Sequence, residues 1–166
     1  VGYSAIAPEA QVVNSYELGV RHRGAGFNAG LVGFVSTSDQ GVTFDPLTNR
    51  ISQQEEVIWG AELNGDVAVT RRFTLAGLLA YREGRYDSDG DGRLDSFLPN
   101  NRIATPLRAV LSGLWTFEDG TALRVEGVGF AGRNQRIDRA GTRFKIDDGA
   151  TMNLAVSTPA LGGQAY

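Results

Sequence analysis

The 166-residue chain contains no cysteine and a single histidine, His22. The absence of cysteine excludes a disulfide framework, a thiolate metal site and a cysteine nucleophile. A lone histidine is far more often a surface or lumen side chain than a metal ligand. The serine, threonine and aspartate residues have no histidine base near them at a strand end, so no nucleophile–base pair is indicated. These shortages predict a protein that is not an enzyme.

Long hydrophobic runs are missing as well. Hydrophobic residues make up 42% of the chain and the mean hydropathy is -0.18, but no apolar run is long enough for a transmembrane helix. Strands that cross a membrane are not excluded, because their polar and apolar side chains offset each other in any average. The formal net charge of -3 argues against a general nucleic-acid binder. Val1 does not open a signal peptide, so the chain is expected to start within a protein or after processing.

The clearest pattern present is a strand–turn–strand unit at residues 55–84. Val57, Trp59, Ala61 and Leu63 share one face and alternate with a mostly polar or small set, and the same alternation resumes in the second arm at 73–81. That set comprises Glu56, Ile58, Gly60, Glu62 and Asn64. Side chains that alternate in this way belong to opposite faces of a β-strand. Each arm exceeds ten residues, and about 9–11 residues are enough for a tilted strand to cross a bilayer core.

The rest of the chain repeats this unit. Further strands are predicted at residues 14–23, 27–37, 106–117, 121–132 and 150–157, and residues 164–166 would begin an eighth. Short turns alternate with the long loops 38–54, 85–104 and 133–148. Short turns on one side and long loops on the other are typical of a membrane β-barrel. The predicted fold is all-β, an antiparallel meander of about seven or eight long strands forming part of a transmembrane barrel.

Short motifs in the chain resemble landmarks of the TonB-dependent outer-membrane receptors. The first is the pair Pro8–Glu9 followed by Tyr16–Gly19, within the segment PEAQVVNSYELGVRHRG. Four more follow in the order seen in that family, namely Gly60–Glu62, Tyr81–Gly84, Asn101–Pro106 and Met152–Ser157. The resemblance covers most of the chain and indicates the second half of the receptor barrel.

This resemblance implies a location, a function and a set of partners. Family barrels have 22 strands around a plug domain, lie in the bacterial outer membrane and import scarce ligands such as ferric siderophores with energy from TonB. Residues 1–166 would form a single partial barrel domain without a plug, and TonB would act through that missing domain. The implied partners are outer-membrane lipid, TonB and an iron–siderophore or similar ligand, which loops 38–54, 85–104 and 133–148 would help to capture.

Two alternatives remain open at this stage. One is a complete eight-stranded outer-membrane barrel that acts as an anchor, which requires the first and last strands to pair. The other is a soluble all-β module that binds calcium or carbohydrate, which requires strands of about 5–6 residues and a buried inner face.

The segment DSDGDGRLD is the one candidate metal site. Asp87, Asp89, Asp91 and Asp95 follow the spacing of a calcium loop, with Gly92 at the sharp turn. The twelfth position is Leu98 where an EF-hand has a bidentate glutamate, so an EF-hand is excluded. The alternatives are an acidic-loop calcium site, with Ca²⁺ as cofactor, and a solvated outer loop rich in turn residues.

Two further residue sets carry expectations. Aromatic side chains near strand ends are predicted to form girdles at the level of the lipid headgroups, namely Tyr16, Trp59, Phe73, Tyr81, Trp115 and Phe117. Arginines gather on the side of the long loops, where they would either meet an anionic ligand or remain solvated beside anionic lipopolysaccharide, namely Arg82, Arg85, Arg93, Arg102, Arg108, Arg133, Arg136, Arg139 and Arg143.

Overall fold

The computed structural model describes residues 10–45, 50–99, 102–103, 105–138 and 140–159. This part of the chain contains ten strands. In chain order they are β1 (Val13–Gly24), β2 (Phe27–Asp45), β3 (Arg50–Ala68), β4 (Phe73–Tyr86), β5 (Ser96–Phe97), β6 (Leu107–Thr116), β7 (Ala122–Phe130), β8 (Arg133–Arg136), β9 (Arg143–Ile146) and β10 (Gly149–Ser157). The Pro8–Glu9 pair and the predicted eighth strand at 164–166 lie outside the described residues.

Seven of the strands form one antiparallel meander in the order β1-β2-β3-β4-β6-β7-β10. The short β5 pairs with the outer end of β4, and β8 pairs with β9 in a separate ribbon. Strands β1 to β4 contain 12, 19, 19 and 14 residues, whereas soluble strands usually have about 5–6. The predicted meander of long strands is therefore confirmed, and the soluble module with short strands is wrong.

The strand register sorts the side chains into two faces. Residues directly opposite each other on antiparallel neighbours share a face, and one such row joins Val20, Leu31, Leu63 and Leu79. All four side chains are exposed. The other face carries polar rows, such as the one in which Asn28 lies opposite Arg23 and Asp66. The alternation in the sequence is thus the direct cause of a sheet with one apolar and one polar face.

No hydrophobic core lies inside the meander. In the described part of the chain the buried hydrophobic side chains are Tyr86, Leu98, Ile103 and Ile137, which all belong to the outer end of β4 or to the segments beyond the sheet. No described helix combines the length and hydrophobicity needed to cross a membrane. The apolar face of the sheet therefore needs a covering other than the described residues, and hydrocarbon is the covering that suits such a face.

The β1–β2, β3–β4 and β6–β7 turns lie at one end of the sheet. Ala25 and Gly26 join β1 to β2, and the φ of +81° at Gly26 suits the tight hairpin. In the β3–β4 turn, the Thr70 hydroxyl oxygen accepts hydrogen bonds from the backbone N–H groups of Arg72 and Phe73, at 3.2 and 3.0 Å. The predicted long connections at the other end are present between β4 and β6 and between β7 and β10, whereas only residues 46–49 separate β2 from β3.

The alternative of a self-contained small barrel concerns the two outer strands of the meander and the predicted closing strand at 164–166, which lies outside the described residues. Such a barrel would close by pairing its first strand with its last. In the described residues β1 pairs with β2 and β10 pairs with β7, so the sheet has two open edges.

The predicted loop 38–54 is wrong for most of its length. Strand β2 continues to Asp45 and β3 begins at Arg50, which leaves only residues 46–49 outside the described part. Between the pairs Ser38–Glu56 and Gly41–Gln54, two residues of β2 lie opposite one residue of β3, so a β-bulge replaces the predicted break. Glycine is needed there because a Cβ on Gly41 would lie 2.3 Å from Cδ of Glu56. Glycine marks bulges as well as strand ends, and sequence alone does not separate the two.

The other two predicted loops are also more structured than expected. Strand β4 extends two residues into the 85–104 segment, which then forms β5 and the buried residues Leu98 and Ile103. The 133–148 segment forms the β8–β9 ribbon instead of an open charged loop. Together these segments make an outer rim at the end opposite the short turns.

Candidate functional site

The polar face of the meander is the first part of the candidate site. It carries both charge signs and several amides, contributed by Glu17, Arg21, Arg23, Asn28, Glu62, Asn64, Asp66, Arg82, Arg108, Ser112, Arg124, Glu126 and Asn153. Glu62 and Glu126 therefore belong to the polar face. A depression of about 420 Å³ runs across this face from β1 to β7. A hydrophilic solute in this depression could replace its hydrogen bonds to water with hydrogen bonds to the polar side chains.

Cross-strand hydrogen bonds hold several of these side chains in place. The Asn28 amide donates to both carboxylate oxygens of Asp66, at 3.0 and 3.3 Å. Glu126 accepts from Arg124 of the same strand at 2.8 Å and, across strands, from the Asn153 amide at 3.3 Å. Pairs between neighbouring strands fix side-chain direction, so the polar face presents an ordered surface.

The apolar face carries the predicted aromatic girdles. At the short-turn end, the ring of Trp115 lies 5.6 Å from that of Phe73 and 6.3 Å from that of Phe117. Tyr81 shares this face eight residues along β4 from Phe73, which corresponds to roughly 26 Å of strand. That spacing, reduced by strand tilt, suits the apolar band of about 25 Å in membrane barrels.

One girdle member was missed from the sequence. Phe27 is exposed at the short-turn end, and its ring lies 5.5 Å from that of His22. The position of Phe27 directly after a glycine turn, which resembles that of Phe73 after the next turn, is the signal that could have identified it. His22 thus lies at the headgroup end of the apolar face beside an aromatic ring.

The second part of the candidate site is the outer rim, which is built around a buried ion pair. Arg133 donates one hydrogen bond to Glu83 at 2.8 Å, and both side chains are almost fully buried. The same guanidinium donates to the carbonyl oxygens of Leu98 and Ile103, at 2.5 and 2.8 Å. One side chain therefore joins β8, β4 and the segment between β5 and β6.

Two more contacts fasten the rim to the sheet. Arg102 donates to the buried carboxylate of Glu56, and the Tyr86 hydroxyl donates to the carbonyl of Ile137. The Arg85 guanidinium lies 4.4 Å from the ring centroid of Phe97, in a cation–π contact. Several of the arginines expected either to meet an anionic ligand or to remain solvated are therefore structural, whereas Arg136 and Arg143 are exposed on the ribbon. Arg139 lies outside the described residues.

The acidic segment forms a tight loop between β4 and β5. The carboxylate oxygens of Asp87, Asp89 and Asp91 lie within 4.8 Å of one another. Asp95, the fourth predicted ligand, is not part of this group, and its carboxylate accepts a hydrogen bond from the Ser96 hydroxyl at 3.1 Å. The structure thus brings three of the four predicted ligands together.

Backbone hydrogen bonds explain the shape of this loop. One Asp87 oxygen accepts from the N–H groups of residues 89, 90 and 91, at 3.2, 2.7 and 3.2 Å, and the other accepts from Gly92 at 2.7 Å. Desolvation acts to raise the pKa of Asp87, but the four N–H donors together outweigh it and hold the pKa below its ordinary value.

Comparison with known proteins agrees with this geometry. The model of the TonB dependent receptor-like β-barrel family matches residues 2–161, nearly the whole chain. The chain belongs to this family. Barrels of the family are non-enzymatic and lie in the bacterial outer membrane, so the apolar face is the lipid-facing side and the polar face lines the lumen.

A solved structure shares the fold. The chain is similar to the structure titled "Copper transporter OprC", with a TM-score of 0.73 and 19% sequence identity over 91% of this chain. The match covers 24% of the OprC chain, so this barrel segment spans about a quarter of that protein's length.

Proposed function

We propose that this barrel segment forms part of the wall of a TonB-dependent transporter, with its polar face along the path of the ligand. The observation that supports this most is the two-sided sheet, in which exposed apolar rows alternate with rows of ordered charged and amide side chains. TonB would act through a plug domain inside the complete barrel. The outer rim would meet the ligand first.

We further propose that the ligand is a ferric siderophore or a similar hydrophilic chelate. Copper is favoured by soft thiolate and thioether ligands and by imidazole, and this chain has no cysteine, one histidine and one methionine. His22 and Met152 belong to the apolar face, on the two edge strands β1 and β10. The polar face instead offers arginine and amide groups, which suit the oxygen atoms of a chelate.

Uptake by the complete receptor that contains this chain tests both proposals. Cells with and without TonB would be supplied with radiolabelled ferric siderophores or copper. Ferric uptake that requires TonB and falls several-fold in an Arg21→Gln, Arg23→Gln variant is expected. The control variant, Arg71→Gln with Arg72→Gln, removes the same charge from the β3–β4 turn, outside the polar face of the strands. Ferric uptake that persists without TonB would contradict the proposal that transport depends on TonB. TonB-dependent uptake of copper but not of ferric siderophores would contradict the proposed ligand.

We also propose that the Asp87 loop binds Ca²⁺ through Asp87, Asp89 and Asp91. The supporting observation is the close approach of three carboxylates, the ligand type that Ca²⁺ prefers. Millimolar Ca²⁺ should raise the thermal stability of the rim, and Asp89→Asn with Asp91→Asn should abolish that response. Asp119→Asn, in a turn at the opposite end, is the control. An unchanged melting temperature in the native protein would show that the backbone hydrogen bonds of Asp87 alone order the loop.

A further inference from the structure

The β8–β9 ribbon has two unlike faces. On one face Arg133 is buried and Phe144 and Ile146 are partly buried. On the other face the side chains are exposed, and they comprise Asn134, Arg136, Arg143 and Lys145. The ribbon is therefore packed down on its Arg133 side and presents its other side to the surroundings.

The exposed side places like charges together. Arg136 and Arg143 are directly opposite each other, and Lys145 is the diagonal neighbour of Arg136. Like charges at directly opposite positions destabilise a pair of strands. Lys145 has a carboxylate partner, Asp147, at 2.5 Å. Within the described ranges, neither Arg136 nor Arg143 forms an ion pair with a carboxylate; Arg143 donates to the backbone carbonyl of Asn134 at 3.1 Å.

The ribbon is also held in a fixed position. Its first residue is Arg133, whose guanidinium is hydrogen-bonded to Glu83, Leu98 and Ile103. The residue after β8, Ile137, accepts from Tyr86. Arg136 and Arg143 therefore project from one face of an immobilised ribbon at directly opposite backbone positions. The guanidinium fork matches the oxygen atoms of a phosphate group.

We propose that the Arg136–Arg143 pair binds phosphate groups, with Lys145 adding to the local positive charge. The anion would relieve the repulsion between the two guanidinium groups. The phosphate could come from a lipid headgroup of the outer leaflet or from a soluble anion. This inference is independent of the transport proposal, because it concerns binding by the folded rim and needs no uptake.

Binding by the complete receptor in a neutral detergent tests the proposal. One arm titrates inorganic pyrophosphate, and the other adds lipopolysaccharide to the micelles. Arg136→Gln with Arg143→Gln should weaken binding about tenfold or more in at least one arm, since charge-assisted hydrogen bonds are lost. The Arg71→Gln, Arg72→Gln variant removes equal charge at the other end and should bind as the native protein does.

Two readouts separate a binding role from a structural one. Without anion, the Arg136→Gln, Arg143→Gln variant should melt at the same temperature as the native protein or higher, because a repulsion has been removed. Loss in the lipopolysaccharide arm alone assigns the phosphate to lipid, and loss in the pyrophosphate arm assigns it to a soluble anion. Binding within twofold of native in both arms, equal losses in the two double variants, or a lower melting temperature would overturn the proposal.

Discussion

The meander and the outer rim belong to one chain but are stabilised in opposite ways. In the meander, large apolar side chains such as Leu18, Leu111 and Met152 are exposed. In the rim, Leu98 and Ile103 are fully buried and charged side chains are buried with them. The meander thus relies on lipid for its apolar contacts, whereas the rim has a small core of its own. Leucine is therefore exposed to lipid in the meander and buried within the protein in the rim.

The largest effect is expected from Arg133→Met in the rim. The change leaves the buried Glu83 carboxylate without its cation, and losing one partner of a buried pair costs about 3–5 kcal/mol. Hydrogen exchange should therefore accelerate in residues 96–99 and 133–146 while the amides of β6 and β7 remain protected. The control is Arg72→Met, whose partner Glu118 is exposed, with an expected cost below about 1 kcal/mol. Equal acceleration in β6 and β7 would show that the two regions do not unfold separately.

A second pair of variants compares the two faces of the meander by placing an arginine on each. Leu111 is exposed on the apolar face, four residues from Trp115 and four from Leu107. Leu111→Arg should cost about 2–4 kcal/mol in a bilayer, as expected for arginine near the midplane. Ser112→Arg is the matched control, because Ser112 lies opposite Glu126 on the polar face. Urea unfolding from lipid vesicles measures both, and similar losses would contradict the assignment of the two faces.

Tyr86→Phe is expected to have a smaller effect that is confined to the rim. It removes the hydroxyl that donates to the carbonyl of Ile137 and leaves the buried ring in place. A typical hydrogen bond contributes about 1 kcal/mol, and the loss should appear as faster exchange in the β8–β9 ribbon. Tyr16→Phe is the control, since Tyr16 is exposed on the apolar face. Exchange that is unchanged in the ribbon would mean that this contact does not fasten it.

The smallest effect is expected from lowering the pH, which protonates Asp87. Because the pKa of Asp87 is lowered in the folded protein, its hydrogen bonds stabilise the loop fully above the unfolded pKa. That stabilisation is lost as the pH falls below about 4, through the lowered folded value. Nuclear magnetic resonance shifts of residues 89–92 should follow this titration, and Asp87→Asn should remove it. Shifts that titrate in the same way in the variant would assign the effect to another carboxylate.

The sequence predicted the meander far better than the rim. Alternation of side chains is a local property, so β1, β4, β6, β7 and β10 were placed to within about two residues. In the rim, Arg133 looks like any solvent-exposed arginine until its partner Glu83, fifty positions earlier, is known to be adjacent. The bulge at Gly41 likewise depends on Glu56 on the neighbouring strand. Distant partners of this kind leave no periodic signal in a single sequence.

The continuation of β2 and β3 past the bulge changes the profile of the protein above the membrane. From Val35, which lies opposite Trp59, to Asp45 is ten residues of strand, or roughly 33 Å. Strand β6 starts at Leu107, which is opposite Tyr81. The sheet therefore extends much less far beyond the membrane at β6 than at β2 and β3. An antibody or phage arriving from the medium would therefore meet the outer ends of β2 and β3 before any other described strand of the sheet.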